Sequence, residues 1–412
     1  MTTTQSDPPG EGIFAGLNVL DFTWAAAGPI ITKQLSDNGA TVVKIESGSH
    51  PDSVRLGAPF KDAKPGINRS GFFADFNISK RSAAVNMASP EGRELVLRMA
   101  GWADVVAENF RPGVMDRWGL GYERMRALNP RLIYLSSSLY GDDGPWSALA
   151  GFGAQGAAAA GIHGLTGWPD RPPAVPKGAY TDSTSPRYAM SALAAALIWR
   201  MRTGLGQRIE LSQVETTVEI LAAQLLEYQL AGDAPDRAGN AAPGRRLHAV
   251  LPCAADDTWI AVEVRDDVEW DGLLGVLAGY GDTGALRKLS AVESLDRTAE
   301  VERLAGVITA TADRFELMER LQAARVPSGV VLSGADLLAD RRLRAHGHFW
   351  ALEHAEMGTL DYNGPAYRFE RTRSRLTSAA PLLGEHTDEV MRTVLGLDDA
   401  DIKRLHADGV LQ

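Results

Sequence analysis

The chain has 412 residues, of which 45% are hydrophobic and 23% charged, and its formal net charge is -10. This is an ordinary globular composition, long enough to fill two cores without staples. The negative balance argues against a general nucleic-acid or anionic-membrane surface, both of which need a basic face, while leaving room for a local basic pocket.

The single cysteine, Cys253, excludes an intrachain disulfide framework and fits a reducing compartment. Its Leu-Pro-Cys-Ala-Ala context reads as a buried strand end. Met1 to Gly12 is polar and lacks the apolar core of a secretory signal. No run reaches the roughly 18 apolar residues of a membrane span, so a cytoplasmic protein is expected. No clustered His/Cys spacing points to a metal site.

In chain order, Leu17 to Phe22 reads as a buried strand, Trp24 to Pro29 as a loop, and Ile30 to Asn38 as a helix closed by Gly39. Ala40 to Glu46 is a second strand. The pattern is a βαβ unit and therefore predicts a parallel sheet with a right-handed crossover. Ligands of such sheets sit at the carboxyl ends of the strands, which marks loop 24–29 and the segment after Glu46. The loop carries no GxGxxG, so no dinucleotide site is assigned.

Arg81 to Met87 alternates as a strand. Ser89-Pro90-Glu91 opens a helix with a capping Ser and Pro at its first position. Ala103 to Arg111 is a strand running into a loop, and Leu132 to Ser137 is another buried strand. Gln207 to Leu211 follows the breaker Thr203-Gly204-Leu205-Gly206. Val214 to Leu230 reads as one long amphipathic helix. Near 231–246 the composition shifts to Ala, Gly, Pro, Asp and Arg, the mark of a linker or mobile loop. A smaller α/β unit follows, with a strand over 258–264, helices near 268–279 and 298–324, and a strand resuming at Val326.

One stretch stands out. Lys177 to Ser185 sets a carboxylate, Asp182, in a small-residue turn at the mouth of an apolar helical run that extends from Tyr188 to Met201. Asp, Ser and Thr all suit a helix N-cap. A carboxylate in such a turn is also accessible while apolar neighbours limit water, as a nucleophile requires. Local sequence leaves both readings open.

Several segments together resemble the family III CoA-transferases, the CaiB/BaiF group. They are Val19-Leu20-Asp21 with Ala27-Gly28-Pro29 and Gly39 to Glu46, then Asn77 to Ser82. Glu108-Asn109-Phe110-Arg111-Pro112-Gly113 with Leu120-Gly121-Tyr122 and Asn129 to Tyr134 follow, then Thr203 to Gln207, and finally Pro381 to Thr387. The similarity spans roughly residues 15 to 395, and its weight lies in five pieces occurring in order.

The resemblance implies a Rossmann-like parallel-sheet large domain, formed by residues 1–225 and completed by a C-terminal part at 331–412. A smaller α/β domain would occupy 226–330, and two chains would interlock as a homodimer, with a heteromer as the alternative. It implies coenzyme A, as acyl-CoA, and a carboxylic acid as substrates, with no metal. It places the nucleophilic aspartate at Asp182 and substrate or CoA contacts at Ala26, Ala27, Arg55, Lys80, Asn109, Arg111, Arg117, Ser138 and Tyr140. The loop holding Gly239, Asn240 and Gly244 is a lid or a plain linker.

A carboxylate suits the implied chemistry because it is ionised at neutral pH and attacks a thioester without a general base. Two other readings remain. The related α-methylacyl-CoA racemases use a His/Asp pair, and their His falls where this chain has Phe152, which cannot carry a proton. A non-catalytic CoA-binding subunit would be expected to lack the nucleophile. Formyl-CoA transferase-like proteins have glutamine at the place of Ala26 and a lysine near Ser138. Small residues there predict an acyl group bulkier than oxalate.

Overall fold

The computed structural model describes residues 12–176, 178–232, 237–289 and 291–412. Met1 to Glu11, Lys177 and residues 233–236, on which part of the sequence reading rests, lie outside the described residues. The chain divides into two compact units: residues 1–162 with 176–232 and 342–412, and residues 163–175 with 233–341. The segment 163–175, which the sequence analysis keeps in the large domain, belongs with the second unit.

In the first unit, strands β1 (Asn18–Asp21), β2 (Thr41–Glu46), β3 (Arg81–Ala84), β4 (Val105–Glu108), β5 (Ile133–Ser138) and β6 (Arg208–Ser212) form one sheet in the order β3-β2-β1-β4-β5-β6. Every pair is parallel, with Val19 opposite Val42 and Val105, and Val106 opposite Tyr134. This is the strand order of Rossmann-type sheets.

The central strands β2, β1, β4 and β5 are buried along nearly their whole length because both faces are covered. Val19, Val42, Val105 and Ile133 face helix α1 (Ala27–Ser36) through Ile31 and Leu35, together with Ala189, Leu193 and Ala196 further along the chain. Leu20, Val43, Val106 and Tyr134 face the other way. They meet Leu95, Val96 and Met99 of a helix over Pro90–Met99, and Val390, Met391, Ile402 and Leu405 near the C-terminus. The C-terminal residues also bond back onto the end of β3 and the segment after it: Gln412 N donates to Ala84 O at 3.1 Å and Asn86 N to Val410 O at 2.8 Å.

Between β2 and β3 lies helix α2 (Gly71–Phe76), and between β3 and β4 the Pro90–Met99 helix, α3. Helices α4 (Val114–Arg117) and α5 (Tyr122–Leu128) link β4 to β5. The β5–β6 connection carries α6 (Gly153–Ala159), α7 (Ile162–Leu165) and the long α8 (Tyr180–Thr203). After β6 the single helix expected over 214–230 is two, α9 (Gln213–Ile220) and α10 (Ala222–Ala231), because Leu221 leaves helical dihedrals with ψ 16°. Helix α1 begins at Ala27, three residues before its expected start: Gly28 and Pro29 occupy its first turn, where Pro loses no hydrogen bond.

The second unit has its own core. Strands β7 (Leu247–Pro252), β8 (Trp259–Val264) and β9 (Ser328–Val330) make an antiparallel sheet in that order. Helices over Asp267–Leu277, Thr298–Thr309 and Arg314–Ala323 cover it through Leu273, Val301 and Leu317. Cys253 is buried at the end of β7. Among the described residues, no helix is long and apolar enough to cross a membrane.

Candidate active site

Asp182 lies in the first turn of α8, and the N-cap is Ala179, with no side-chain capping bond. The cap reading is therefore overturned: Asp182 N donates to Ala179 O at 3.1 Å, so Asp182 is already inside the helix. Four residues later Pro186 lies inside the helix, which continues through it. Proline has no N–H, so the carbonyl of Asp182 lacks its usual bond from the residue four positions on.

The turn is held from outside. Thr181, fully buried, places Oγ1 3.2 Å from Gly153 O and 3.0 Å from Gln213 Oε1. Thr184 Oγ1 meets Thr217 Oγ1 at 3.1 Å. These contacts fix the start of α8 against α6 and α9. Gly153 is the close neighbour: a Cβ there would stand 2.8 Å from Asp182 Oδ2 and 2.5 Å from Ala179 Cβ, so no side chain fits.

Among the described residues, Asp182 has no ion-pair partner. Burial alone pushes its carboxyl up from the ordinary carboxylate value to about 6. It borders a cavity of about 510 Å³ whose wall also includes Ala26, Ala27, Asn109, Arg111 and Ser138. The structure thus brings together six of the residues singled out by sequence, from the loop after β4, the end of β5, α8 and the start of α1. Arg111 is exposed and, among the described residues, is the single cation in that wall.

Other expected contacts lie elsewhere. Arg55 is fully buried and gives Nε and Nη2 to Glu46 at 2.9 and 2.8 Å. Its guanidinium lies 3.5 Å from the centre of the Phe73 ring and also bonds Asn68 and Pro381. Lys80, 1% exposed, donates to Asp21, Thr32, Asn77 and Pro29 O at 2.7–3.1 Å. Burial pushes its ammonium down to about 8, against the attraction of Asp21. Both cations are spent on internal partners and have no donor left over for a phosphate.

Arg117 is exposed on α4, outside the Asp182 cavity. Tyr140 stacks edge-on to Trp146, with ring centroids 5.6 Å apart, and borders a neighbouring cavity of about 520 Å³. Gly239, Asn240 and Gly244 belong to the second unit, where Gly239 packs beside Trp168.

A second cavity in the first unit, about 350 Å³, lies at the carboxyl ends of β1, β2 and β4, beside loop 24–29 and the segment after Glu46 marked by the sequence, although its aromatic wall was not foreseen. Trp24, Phe110 and Val114 line both it and the Asp182 cavity, and Trp118, His50 and Arg93 complete its wall. Trp24, Phe110 and Trp118 form an edge-to-face chain with centroids 5.6 and 5.3 Å apart. The available signal was positional, since Phe110 follows a strand and Trp24 opens the loop after β1. No group of three or more His, Cys, Asp or Glu side chains able to hold a metal occurs among the described residues.

The model of CoA-transferase family III matches residues 14–387. A succinyl-CoA–D-citramalate CoA-transferase of Chloroflexus aurantiacus is 29% identical over 96% of this chain and 97% of its own length. A succinate–glutarate CoA-transferase of Agrobacterium fabrum is 32% identical, over 92% and 94%. The crystal structure of a CaiB/BaiF family protein from Brucella suis superposes with a TM-score of 0.84 at 31% identity, over 93% of this chain and all of that one. The chain belongs to CoA-transferase family III, enzymes that move CoA between an acyl-CoA and a carboxylic acid.

Proposed function

We propose that Asp182 carries the CoA exchange as a covalent nucleophile. A carboxylate oxygen of Asp182 forms a C–O bond to the thioester carbon, and the carbonyl π pair moves to oxygen. Collapse breaks the C–S bond, leaving an aspartyl–acyl anhydride and CoA thiolate. Thiolate then attacks the aspartyl carbonyl and expels the first acid as carboxylate, giving an aspartyl-CoA thioester. The acceptor carboxylate attacks that thioester, and the same steps in reverse regenerate Asp182. No proton is consumed, so no general base is needed.

The observation that supports this reading is an unpaired carboxylate, raised to about 6 by burial, at the wall of a cavity. At neutral pH such a group is still ionised, yet more basic than an exposed aspartate and shielded from bulk water. Phe152, exposed at the same cavity, offers no proton, which disfavours the racemase alternative.

In this reading the nucleotide end of CoA lies along the aromatic cavity of Trp24, Phe110 and Trp118, with Arg93 and Arg111 in the two cavity walls and Arg117, next to Trp118 in the chain, as phosphate donors in place of Arg55 and Lys80. The small Ala26 and Ser138 leave room for an acyl group larger than oxalate, in line with the succinate, glutarate and citramalate of the named relatives. A second copy of the chain covers α10, which buries none of its residues and exposes Leu225, Leu226 and Leu230. Sedimentation of the purified protein as a monomer would remove that last element.

The test is exchange measured by mass spectrometry over a panel of acyl-CoA donors and acids, with hydroxylamine added during turnover. Wild-type protein is expected to exchange and to acquire a hydroxamate at Asp182. Asp182→Ala is expected to lose all exchange. Exchange by the alanine variant overturns the nucleophile, and a strong preference for oxalate overturns the larger acyl group.

A further inference from the structure

Ala25 has φ 62°, in the left-handed region that residues with a Cβ avoid. Its surroundings hold it there. Ala25 N donates to Asp52 Oδ1 at 2.8 Å, and the same oxygen accepts from Val54 N at 3.1 Å. The other Asp52 oxygen lies 3.1 Å from Lys44 Nζ, a charge contact between two fully buried groups. Lys44 also donates to the carbonyl of Thr23.

On the opposite side Asn109 grips Trp24: Oδ1 accepts from Trp24 N at 2.7 Å and Nδ2 donates to Trp24 O at 2.9 Å. Three successive residues, Thr23, Trp24 and Ala25, are therefore clamped from β2, from the segment after β2 and from the end of β4.

The clamped turn leads directly into α1, whose N-cap, Ala26, makes no side-chain capping bond. First-turn amides of a helix lack internal partners and favour negative charge. Ala25, Ala26 and Ala27 line the Asp182 cavity. The same wall holds the hydroxyls of Ser137 and Ser138, 1% and 6% exposed and without a hydrogen-bond partner. Among the described residues, donors lacking acceptors thus meet at one cavity, beside the one unpaired carboxylate in its wall.

We propose that Asp52 is a positioning residue for CoA transfer: by holding Ala25 left-handed it aims the uncapped start of α1 at the carbonyl oxygen that becomes negative when Asp182 attacks. The inference rests on the transferase reading above. Asp52 itself does not touch substrate. It acts through the Ala25 amide, and its own charge is balanced by Lys44. Gly28 belongs to the same device, since a Cβ there would stand 2.4 Å from Thr23 Cβ and close the turn to any larger residue.

The experiment compares wild type, Asp52→Ala, and Asp52→Ala combined with Ala25→Gly, with rates expressed per active site titrated by hydroxylamine. Asp52→Ala is expected to lower kcat about 10- to 100-fold, with KM for acyl-CoA within about twofold, because an oxyanion donor is misaimed while CoA binding is untouched. Glycine adopts positive φ unaided, so the double variant is expected to recover most of that loss. A merely structural Asp52 would lower the melting temperature and the titrated fraction while leaving kcat per site unchanged, and glycine would rescue nothing. Either result overturns the inference.

Should Asp52→Ala fail to fold, Ala25→Val supplies the reading with Asp52 intact. A β-branched residue resists φ near 60°, and a fall in kcat of similar size is expected. An unchanged kcat overturns the inference. Wild-type exchange with a normal Asp52→Ala rate per site overturns the positioning role alone, whereas wild-type protein without exchange overturns the transferase reading with it.

Discussion

Two buried charged regions of the first unit behave in opposite ways. At the strand ends, Asp21, Lys44, Glu46, Asp52, Arg55 and Lys80 are all buried, and each is paired. Burial opposes ionisation of Asp21 and Glu46, but Lys80 and Lys44 hold the first, and Arg55 the second, below the ordinary carboxylate range. Asp182 is less buried, and yet burial moves its carboxyl up, to about 6, with no cation among the described residues to offset it. Burial alone does not separate structure from chemistry. The presence of a partner does, since a paired charge is held and an unpaired one is reactive.

The largest effect is expected where a pair is broken. Glu46→Gln leaves Arg55 facing a neutral amide inside the core, and removal of one partner from a buried pair costs about 3–5 kcal/mol. Arg55 also ties residues near Asn68 and Pro381 together, so denaturant unfolding should shift strongly. An unchanged midpoint would mean that the cluster is less dry than it looks.

Next comes geometry at the unpaired carboxylate. Gly153→Ala adds a methyl 2.8 Å from Asp182 Oδ2. Displacement of a nucleophile by about 1 Å costs on the order of 100-fold, so kcat should fall by about that factor with little change in acyl-CoA binding. Steady-state kinetics with binding by calorimetry decide it, and an equal loss in both would point to a shifted loop instead.

The smallest effect separates the two regions by pH. The folded-state value of Asp182 lies above its unfolded value, so between about pH 4 and 6 the folded protein binds more protons and stability falls as pH rises. Above pH 6 the full penalty remains. A two-unit shift corresponds to about 3 kcal/mol, which partial solvent access reduces to about 1–2 kcal/mol. Asp182→Asn should therefore be inactive yet more stable than wild type at pH 8, with the difference vanishing near pH 4. Wild-type kcat/KM should rise from pH 5 to 7 with an apparent value near 6. A variant equally stable at both pH values would place Asp182 in contact with solvent.

The same contrast explains what was legible beforehand. Strands such as Val105–Glu108 and Ile133–Ser138 could be read because sheets covered on both faces need unbroken apolar runs, a local property. The motif run around Asn109 and Arg111 pointed to the cavity wall. The break at Leu221 was not legible, because nothing in the apolar spacing of 213–231 marks where a helix turns. Nor was the aromatic chain of Trp24, Phe110 and Trp118, whose members come from separated segments.

By itself the sequence determined the parallel α/β sheet, the family resemblance and Asp182 as the residue to watch, since these rest on periodicity and on motifs in order. Only the tertiary structure decided which cations are free. Arg55 and Lys80 look like Arg111 in sequence, yet the first two are enclosed by Glu46 and Asp21 while Arg111 is left exposed at the cavity. It also decided that Asp182 is not a cap, that Gly153 must lack a side chain beside it, and that Ala25 is held left-handed by Asp52. The physical reason is the same in each case: a charge or a strained turn is defined by its partners, and those partners come from distant parts of the chain.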